Sequence, residues 1–383
     1  MYNFKGEIEY MKKLVLVMIT IMSVISSGFA IDRNYGLNVV STPVNPNATK
    51  ETKELMSYLA SNYGKKTLSG QMDLTWAPQI DMLSRVYNDT GKYPAIMGYD
   101  FLGANYGAEQ VKEAIEWAKK GGIVTFCWHW NVVGPNGNKN FYTYGKGHQN
   151  GTDFVIPYDY KTDTIDTKTK TSARGPYDWT KLLKDMDKVA ARLKTLQDEG
   201  IPVLWRPFHE ASGGWFWWGA SGETNIERAA AYKALYIFMY DYYTNVKGLN
   251  NLIWVWNGQD AEWYPGDEYV DIIGIDIYET PKDYSSKVGS WFKCVNYGDN
   301  PEDAPKMVAL TETGVIPSPE NMQKDGAYWS YFMVWNDSNV EEFKEHFTHK
   351  DNFWTGEYHN TNAHKKEVYD SDFVITLDEV KIK

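Results

Sequence analysis

Residues Val203–Glu210 read VLWRPFHE, a short apolar run that ends in polar and charged side chains. A helical stretch, Trp179–Glu199, precedes it, and Gly200 stands between the two. Glycine just beyond a helix end is a common stop signal. The run is nearly continuous in hydrophobic residues rather than alternating, which is typical of a strand buried on both faces. The stretch therefore predicts one helix-to-strand unit of an α/β protein.

Seven similar runs lie outward from this stretch in both directions. Helical segments separate several of them, most clearly Ala108–Lys120 and Ile226–Val246. Eight strands alternating with helices predict a single (β/α)8 TIM barrel, and no glycine-rich phosphate loop follows the first strand to favour an open doubly wound sheet. The seven further predicted strands are Thr67–Met72, Ala95–Asp100, Ile123–Trp130, Leu252–Asn257, Val270–Tyr278, Met307–Gly314 and Trp329–Asp337.

Two long segments interrupt the alternation. Asn131–Tyr177 joins the third predicted strand to its helix, and Thr280–Pro305 follows the sixth predicted strand. Both run from a strand end to the next helix, so both lie on the C-terminal face, where barrel active sites are built. Long loops inside compact domains are usually functional. We therefore expect these two loops to wall a cleft.

The composition excludes some classes of partner. The formal charge is −11, and no long basic run follows the N-terminal region, which argues against nucleic acid or an anionic membrane as partner. The chain has 16 Trp, 28 Tyr and 15 Phe, and aromatic faces can stack on the apolar faces of sugar rings. A neutral polysaccharide fits both observations, and we expect a monomer that needs no metal and no cofactor.

The N-terminal region predicts export. Residues Met11–Ala30 read MKKLVLVMITIMSVISSGFA, a basic start followed by an apolar run and small residues, with Gly28 and Ala30 at the −3 and −1 positions. This is the pattern of a secretory signal peptide, and it is too short for a comfortable membrane span. We expect residues 1–30 to be an extension plus signal peptide, residues 31–383 to be the catalytic barrel, and the mature protein to be secreted.

The two cysteines are Cys127 and Cys294. Export permits a disulfide, but two cysteines do not make a disulfide scaffold. Cys127 falls within an apolar predicted strand, which favours a buried free thiol. Whether the two residues pair stays open at this stage.

Two acidic residues end predicted strands that lie across the barrel mouth from each other. Glu210 ends the fourth strand, and Glu312 ends the seventh in the segment LTETG. Hydrolysis of a glycosidic bond needs a pair of carboxyl groups, one to protonate the leaving oxygen and one to attack or to activate water. Carboxylates embedded in apolar segments are costly unless they are used or paired. From these residues alone, catalysis and a structural ion pair are equally good explanations.

The flanking sequence adds a resemblance. Trp205–Gly219, WRPFHEASGGWFWWG, resembles the acid/base motif of glycoside hydrolase family 26, a family that consists largely of β-mannanases. The resemblance extends to GGIVTFCWHW on strand three, VDIIGIDIY on strand six, LTETG on strand seven and the closing EVYDSDFVITLDEV. It therefore covers most of the chain after the signal segment. It implies a TIM barrel with retaining hydrolase activity on β-mannan.

Carried over by position, the resemblance implies Glu210 as general acid/base and Glu312 as nucleophile. Tyr278 matches the tyrosine that donates its hydroxyl to the nucleophile and so favours the ionised carboxylate. His209 precedes the acid/base, where most related barrel enzymes have Asn. We expect the His209 imidazole to hydrogen-bond toward Glu312, with a satisfied core histidine as the alternative.

Five further residues are candidates for substrate binding or orientation. By the same resemblance, Trp335 matches the tryptophan floor under the sugar, Trp215 stands beside the acid/base, and His129 lines the glycone side. His129 could equally be a packed core imidazole. Arg206 and Asp276 are expected to make orienting charge contacts inside the barrel mouth, because buried charges need partners.

The sequence leaves the substrate open. After the acid/base the family commonly has Met-Asn or Met-Asp, whereas this chain has Ala211 and Ser212, which puts the fine substrate preference in doubt. The function expected first is a secreted endo-β-1,4-mannanase acting on mannan, glucomannan or galactomannan by double displacement. The alternatives are a related endo-β-1,3-1,4-glucanase or β-1,3-xylanase, and a carbohydrate-binding protein without turnover. A metal-dependent hydrolase using His129, His209 and Glu210 is disfavoured, because the histidines lack ligand spacing.

Overall fold

The computed structural model describes residues 35–77, 80–102, 105–145, 147–167, 171–172, 175–176, 179–339 and 348–382. Gly36–Lys383 forms one compact unit, and a second unit, Met1–Tyr35, lies outside the described residues except for its last residue. The predicted extension and signal peptide, residues 1–30, therefore stay predictions. Across the described ranges, no helix is both long enough and apolar enough to cross a membrane.

Eight parallel strands form a closed barrel in sequence order, as predicted. Each strand pairs with its neighbours in the chain, and the ring closes where Leu68–Gln71 of the first strand pairs with Tyr331–Val334 of the eighth. A short ninth strand adds to the outside of the first near its N-terminal end. The strands are β1 Thr67–Met72, β2 Ile96–Asp100, β3 Ile123–Cys127, β4 Val203–Arg206, β5 Leu252–Trp256, β6 Ile272–Ile277, β7 Met307–Thr313, β8 Tyr331–Val334 and β9 Val374–Ile375.

Helices connect the strands and begin at residues that suit helix starts. The Thr224 side chain and Glu227 form a reciprocal capping box at the start of the helix after β4, which satisfies two free backbone N–H groups. The helices are α1 Lys50–Asn62, α2 Met82–Thr90, α3 Ala108–Lys119, α4 Trp179–Asp198, α5 Asn225–Asp241, α6 Val288–Val295, α7 Pro319–Asp325 and α8 Asn362–Asp370.

Short elements decorate the connections. In its described part, the loop between β3 and α4 contains three antiparallel pairs of strands, each strand two residues long. Helix α5 continues into a π-helical turn. The short elements are the strand pairs Val132–Val133 with Lys139–Asn140, Tyr158–Asp159 with Thr164–Ile165, and Thr171–Ser172 with Gly175–Pro176; the 3-10 turns Ala211–Gly213, Trp217–Gly219, Ala261–Trp263, Asp267–Tyr269 and Leu377–Glu379; and the π-helical turn Tyr242–Val246.

Burial of the strand residues explains the continuous apolar runs. Strands β1 to β5 and β7 to β8 are buried along their whole length, and only the last two residues of β6 are partly exposed. Cys127 belongs to the buried core, and both cysteines are free. The prediction of a buried free thiol at Cys127 is confirmed.

The fourth strand ends earlier than predicted. It stops at Arg206, four residues before Glu210. Pro207 follows and has no backbone N–H to continue the ladder. Phe208 and Glu210 then adopt left-handed backbone conformations, with φ of 55° and 54°. Glu210 therefore stands on a loop above the strand rather than on the strand itself.

Candidate active site

Glu312 is held within β7 by a local irregularity of the sheet. Where β6 pairs with β7, Ile275 lies opposite Leu310 but Asp276 lies opposite Glu312, so Thr311 is an extra residue. A bulge of this kind changes the direction of the side chains that follow it. It brings Asp276 and Glu312 next to each other at the C-terminal end of the barrel.

Arg206 lies between these two carboxylates. Its Nη2 donates to Glu312 Oε1 at 2.5 Å and its Nη1 donates to Asp276 Oδ2 at 3.2 Å. None of the three side chains is more than 5% exposed. Charge-assisted hydrogen bonds of this kind are the strong ones, and they fix the orientation of both carboxylates. The orienting contacts expected for Arg206 and Asp276 are present.

The other oxygen of Asp276 accepts two further hydrogen bonds. Thr311 Oγ1 and Asn257 Nδ2 each donate to Asp276 Oδ1 at 2.7 Å. Burial and the neighbouring charge of Glu312 nevertheless raise the pKa of Asp276 above its ordinary value, against the lowering effect of Arg206 and these donors. Asp276 therefore holds Arg206 in place. Its negative charge also disfavours ionisation of the nearby Glu210.

Tyr278 completes the contacts of Glu312. The Tyr278 hydroxyl donates to Glu312 Oε2 at 2.6 Å, as expected. Glu312 therefore accepts one charged and one neutral hydrogen bond, one on each oxygen. Together the two donors fix the orientation of the Glu312 carboxyl group. The Tyr278 ring lies 5.1 Å from the ring of Phe353, which the loop after β8 supplies.

Glu210 is positioned by loops rather than by the sheet. Its backbone N–H donates to the backbone oxygen of Asn257 at 2.7 Å and lies 3.1 Å from Asn257 Oδ1. Trp218 Nε1 donates to the backbone oxygen of His209 at 2.8 Å. Left-handed conformations of residues other than glycine cost about 1–3 kcal/mol each and persist only where the surroundings enforce them. These contacts supply that enforcement at Phe208 and Glu210.

The Glu210 carboxyl group has a different environment from that of Glu312. Its Oε2 accepts a hydrogen bond of 2.9 Å from Trp215 Nε1, so Trp215 stands beside it as expected. Burial and the charges of Asp276 and Glu312 raise the pKa of Glu210 well above its ordinary value, although Trp215 and Arg206 act in the opposite direction. Glu210 is thus suited to carry a proton at neutral pH.

The two candidate carboxyl groups are close. Oxygen atoms of Glu210, Asp276 and Glu312 lie within 4.8 Å of one another. Retaining glycosidases have carboxyl groups about 5–5.5 Å apart, whereas inverting enzymes need about 6.5–9.5 Å to admit water. Two carboxyl groups at this spacing can act together on one glycosidic bond.

The same three carboxylates are one of two clusters, among the residues described, whose atoms could reach a shared metal ion. The other is Asp100, Cys127 and His129. In the first cluster Arg206 already contacts Glu312 and Asp276, and Tyr278 occupies the second Glu312 oxygen. In the second cluster Asp100 and His129 are hydrogen-bonded to each other. Four members of the two clusters, Asp276, Glu312, Asp100 and His129, therefore already have hydrogen-bond partners within the protein.

His209 does not make the contact expected of it. Its Nε2 lies 3.2 Å from His129 Nε2, and no hydrogen bond joins it to Glu312, whose oxygens are taken by Arg206 and Tyr278. Burial and the nearby charges of His129 and Arg206 hold the pKa of His209 well below its ordinary value. The expectation that His209 orients Glu312 was wrong, because Arg206 and Tyr278 make the hydrogen bonds to the two Glu312 oxygens.

Asp100 at the end of β2 was not predicted as a site residue. His129 Nδ1 lies 2.5 Å from Asp100 Oδ2, and the His129 backbone N–H donates to Asp100 Oδ1 at 3.0 Å. Although burial acts in the opposite direction, His129 lowers the pKa of Asp100. The signal in the sequence was an acidic residue closing an apolar strand, AIMGYD, the same signal that identified Glu210 and Glu312.

Aromatic side chains surround the histidine pair. Trp335 follows directly on β8, is partly exposed, and its ring lies 6.0 Å from His129. Phe141 and Phe216 lie 5.0 and 5.6 Å from the same imidazole. Phe141 comes from the predicted loop Asn131–Tyr177, which therefore does reach the site. The long loop was predicted, but sequence reasoning did not identify Phe141 or its neighbour Tyr142 individually.

The sequence matches a known protein family over most of its length. The model of the family described as glycosyl hydrolase family 26 matches residues 44–379. A mannan endo-1,4-beta-mannosidase of Thermothelomyces thermophilus is 36% identical over 347 residues, 88% of this chain. Mannan endo-1,4-beta-mannosidase B of a Piromyces species is 34% identical over 330 residues, 81% of this chain.

A solved structure has the same fold. It is a beta-mannanase from a symbiotic protist of the termite Reticulitermes speratus, complexed with gluco-manno-oligosaccharide, with 31% identity and a TM-score of 0.73. The match covers 90% of this chain and 99% of that one. By contrast, the chain spans 63% of the Thermothelomyces protein and 52% of the Piromyces protein.

Proposed function

Because the chain belongs to glycosyl hydrolase family 26, we propose that it is an endo-β-1,4-mannanase that hydrolyses internal bonds of mannan, glucomannan or galactomannan with retention. The observation that carries the proposal is the pair Glu210 and Glu312, which have one oxygen each within 4.8 Å of the other and lie in contrasting environments. The relatives named as mannan endo-1,4-beta-mannosidases support the choice of substrate.

In the first step, a Glu312 oxygen attacks the anomeric carbon while the bond from that carbon to the leaving oxygen breaks. Glu210 gives its proton to the leaving oxygen. Arg206 and Tyr278 hold the attacking carboxylate in one orientation through their hydrogen bonds to its two oxygens. Orientation of the reacting groups is itself a large part of catalysis.

In the second step, water attacks the anomeric carbon and the ester bond to Glu312 breaks. Glu210 takes the proton from that water. The charge of Glu312 is one cause of the raised pKa of Glu210, and this charge is absent while Glu312 is an ester. The pKa of Glu210 therefore falls in the intermediate, which converts the acid into a base.

Hydrolysis assays test the substrate. The purified protein is incubated with linear mannan, galactomannan, glucomannan, barley mixed-linkage glucan and β-1,3-xylan, and the products are separated by size over time. We expect manno-oligosaccharides of mixed length early in the reaction. Preferential cleavage of barley glucan or xylan would replace mannan by that substrate, and binding without reducing-sugar release would identify a carbohydrate-binding protein.

We also propose that the protein is secreted. The basic start, apolar run and small residues of Met11–Ala30 support this. Sequencing the N-terminus of protein recovered from the culture medium tests it. Cleavage before Ile31 is expected, and full-length protein retained in the cells would contradict secretion.

A further inference from the structure

A segment of the loop between β3 and α4 pairs with the segment that follows Glu210. Thr143 N–H donates to the Trp215 carbonyl at 2.8 Å, and Trp217 N–H donates to the Phe141 carbonyl at 3.1 Å. Tyr142 therefore lies directly opposite Phe216 in an antiparallel bridge. Because Trp215 also donates to Glu210, this pairing places Tyr142 on the Glu210 side of the two carboxylates.

Stacking fixes the ring of Tyr142. The imidazole of His148 lies 3.7 Å from it at an interplanar angle of 6°, and the Phe216 ring lies 5.4 Å from it at 23°. Phe216 stacks in turn on Trp218, which is fully buried. Stacked contacts use the faces of an aromatic ring and leave its edge. The polar part that Tyr142 presents is therefore its hydroxyl group.

The Tyr142 hydroxyl has no hydrogen-bond partner among the described residues. Tyr142 is half-buried, and no residue that the structure describes hydrogen-bonds to its hydroxyl, whereas the hydroxyl of Tyr278 is committed to Glu312. Burial, followed by the charges of Glu210 and Glu312, raises the pKa of Tyr142, so its hydroxyl keeps its proton at neutral pH. A half-buried hydroxyl without a partner beside a reacting centre is suited to bind a polar ligand group.

The side of the cleft follows from the chemistry. Glu210 protonates the oxygen that leaves, so groups that flank Glu210 face the sugar unit that departs. We propose that Tyr142 is a specificity-determining residue whose hydroxyl hydrogen-bonds the sugar on the leaving-group side of the cleaved bond. His148 and Phe216 hold the ring so that this hydroxyl is already oriented. The inference rests on the proposed mannanase function.

Two substrates separate this role from a structural one. Mannopentaose has a sugar as leaving group, whereas an aryl β-mannobioside has an aryl group in its place. Tyr142→Phe keeps the stacked ring and removes only the hydroxyl. We expect kcat/KM on mannopentaose to fall about 5- to 20-fold, as for the loss of one hydrogen bond, and to change less than twofold on the aryl mannobioside. Transfer to added mannobiose should fall relative to hydrolysis, because the acceptor occupies the leaving-group position.

Tyr144→Phe is the matched control. Tyr144 lies two residues further on the same loop, and its side chain is 56% exposed. This variant should match the wild type on both substrates. Equal losses on both substrates in Tyr142→Phe would overturn the inference, because they would indicate a structural or glycone-side role. An unchanged kcat/KM on mannopentaose would also overturn it. Failure of the proposed function is distinguishable, because the wild type would then cleave neither substrate.

Discussion

Glu312 and Glu210 are neighbours in space but are held in different ways. Glu312 belongs to a strand, is directed by a bulge at Thr311, and receives Arg206 and Tyr278 on its two oxygens. Glu210 stands on a loop in a left-handed conformation and receives one hydrogen bond, from Trp215. The sheet thus supplies a carboxylate with cationic and hydroxyl donors, and the loops supply a carboxyl group whose neighbours favour its proton.

The difference shows how one barrel mouth separates two identical functional groups. Both carboxyl groups are desolvated, but the guanidinium group of Arg206 is bonded to Glu312 and only acts on Glu210 from a distance. Negative charge on Glu312 and Asp276 then raises the pKa of Glu210. Pairs of titratable groups whose environments differ in this way commonly have opposite roles in acid–base chemistry.

Removing either carboxylate should have the largest effect on activity. Glu312→Ala should abolish turnover on every glycoside, because no attacking group remains. Glu210→Ala should lower kcat on mannan by about 10²–10⁴ but retain the first step on aryl mannobiosides whose leaving groups need no proton. Steady-state and burst kinetics on both substrates measure this. Equal loss in the two variants on the aryl substrate would contradict the assigned roles.

Removing Arg206 should affect the Glu312 side next. Arg206→Met leaves two buried carboxylates without their cation, and we expect the free energy of unfolding to fall by about 3–5 kcal/mol near neutral pH. Because burial and Glu312 raise the pKa of Asp276, protonation relieves the repulsion, so the loss should shrink as the pH falls from 8 to 5. Urea unfolding at several pH values measures it.

Arg85→Met is the control for that experiment. Arg85 pairs with Asp337 near the loop after β8, and both side chains are mostly buried. It should also destabilise the protein, but kcat on mannan should be retained at temperatures where the variant is folded. Arg206→Met should lose activity under the same conditions. A variant at Arg206 that kept wild-type stability and kcat would show that the charge contacts are dispensable.

Adding a methyl group next to the loop that carries Glu210 should have a smaller effect on stability and on kcat. Gly219 approaches the Ala211 carbonyl so closely that an added Cβ would collide with it. Gly219→Ala should lower the free energy of unfolding by about 1–3 kcal/mol and reduce kcat on mannan more than on an aryl mannobioside. Gly289→Ala, in α6 with open space around it, should do neither. Equal effects of the two variants in urea unfolding and kinetics would contradict the account.

The smallest expected effect is a change in the pKa of Glu210. Its raised pKa keeps it protonated above the ordinary range of a glutamate, and activity is lost as the pH rises through that pKa. The Trp215 hydrogen bond lowers this pKa, so Trp215→Phe should move the alkaline limb of kcat/KM to higher pH by up to about 1 unit. Trp215→His, which keeps a ring N–H, should move it less. A shift to lower pH would contradict the role given to Trp215.

The barrel could be predicted from the sequence because its signal is local. Strands buried on both faces read as apolar runs, and the predicted bounds of β1, Thr67–Met72, match the structure. The predicted β4 was four residues too long, because the residues after Arg206 are still buried although Pro207 ends the hydrogen-bond ladder. Acidic residues that follow apolar runs identified Glu210 and Glu312, and would also have identified Asp100.

The contacts between loops could not be predicted in the same way. The partner of His209 depends on how β2, β3 and β4 align, and His129 of one strand end meets His209 of another. Tyr142 reaches the site only because a bridge joins it to Phe216, 74 positions further along the chain. Such pairings depend on tertiary registration between segments that carry no periodic pattern of their own.

The stereochemistry of the first product distinguishes attack by Glu312 from attack by water. Hydrolysis of mannopentaose is followed by ¹H NMR from the first turnovers, before the released reducing end mutarotates. Attack by Glu312 with proton transfer by Glu210 predicts that the new reducing end appears first as the β-anomer and only later equilibrates. Initial appearance of the α-anomer would show a single displacement by water and would contradict the account.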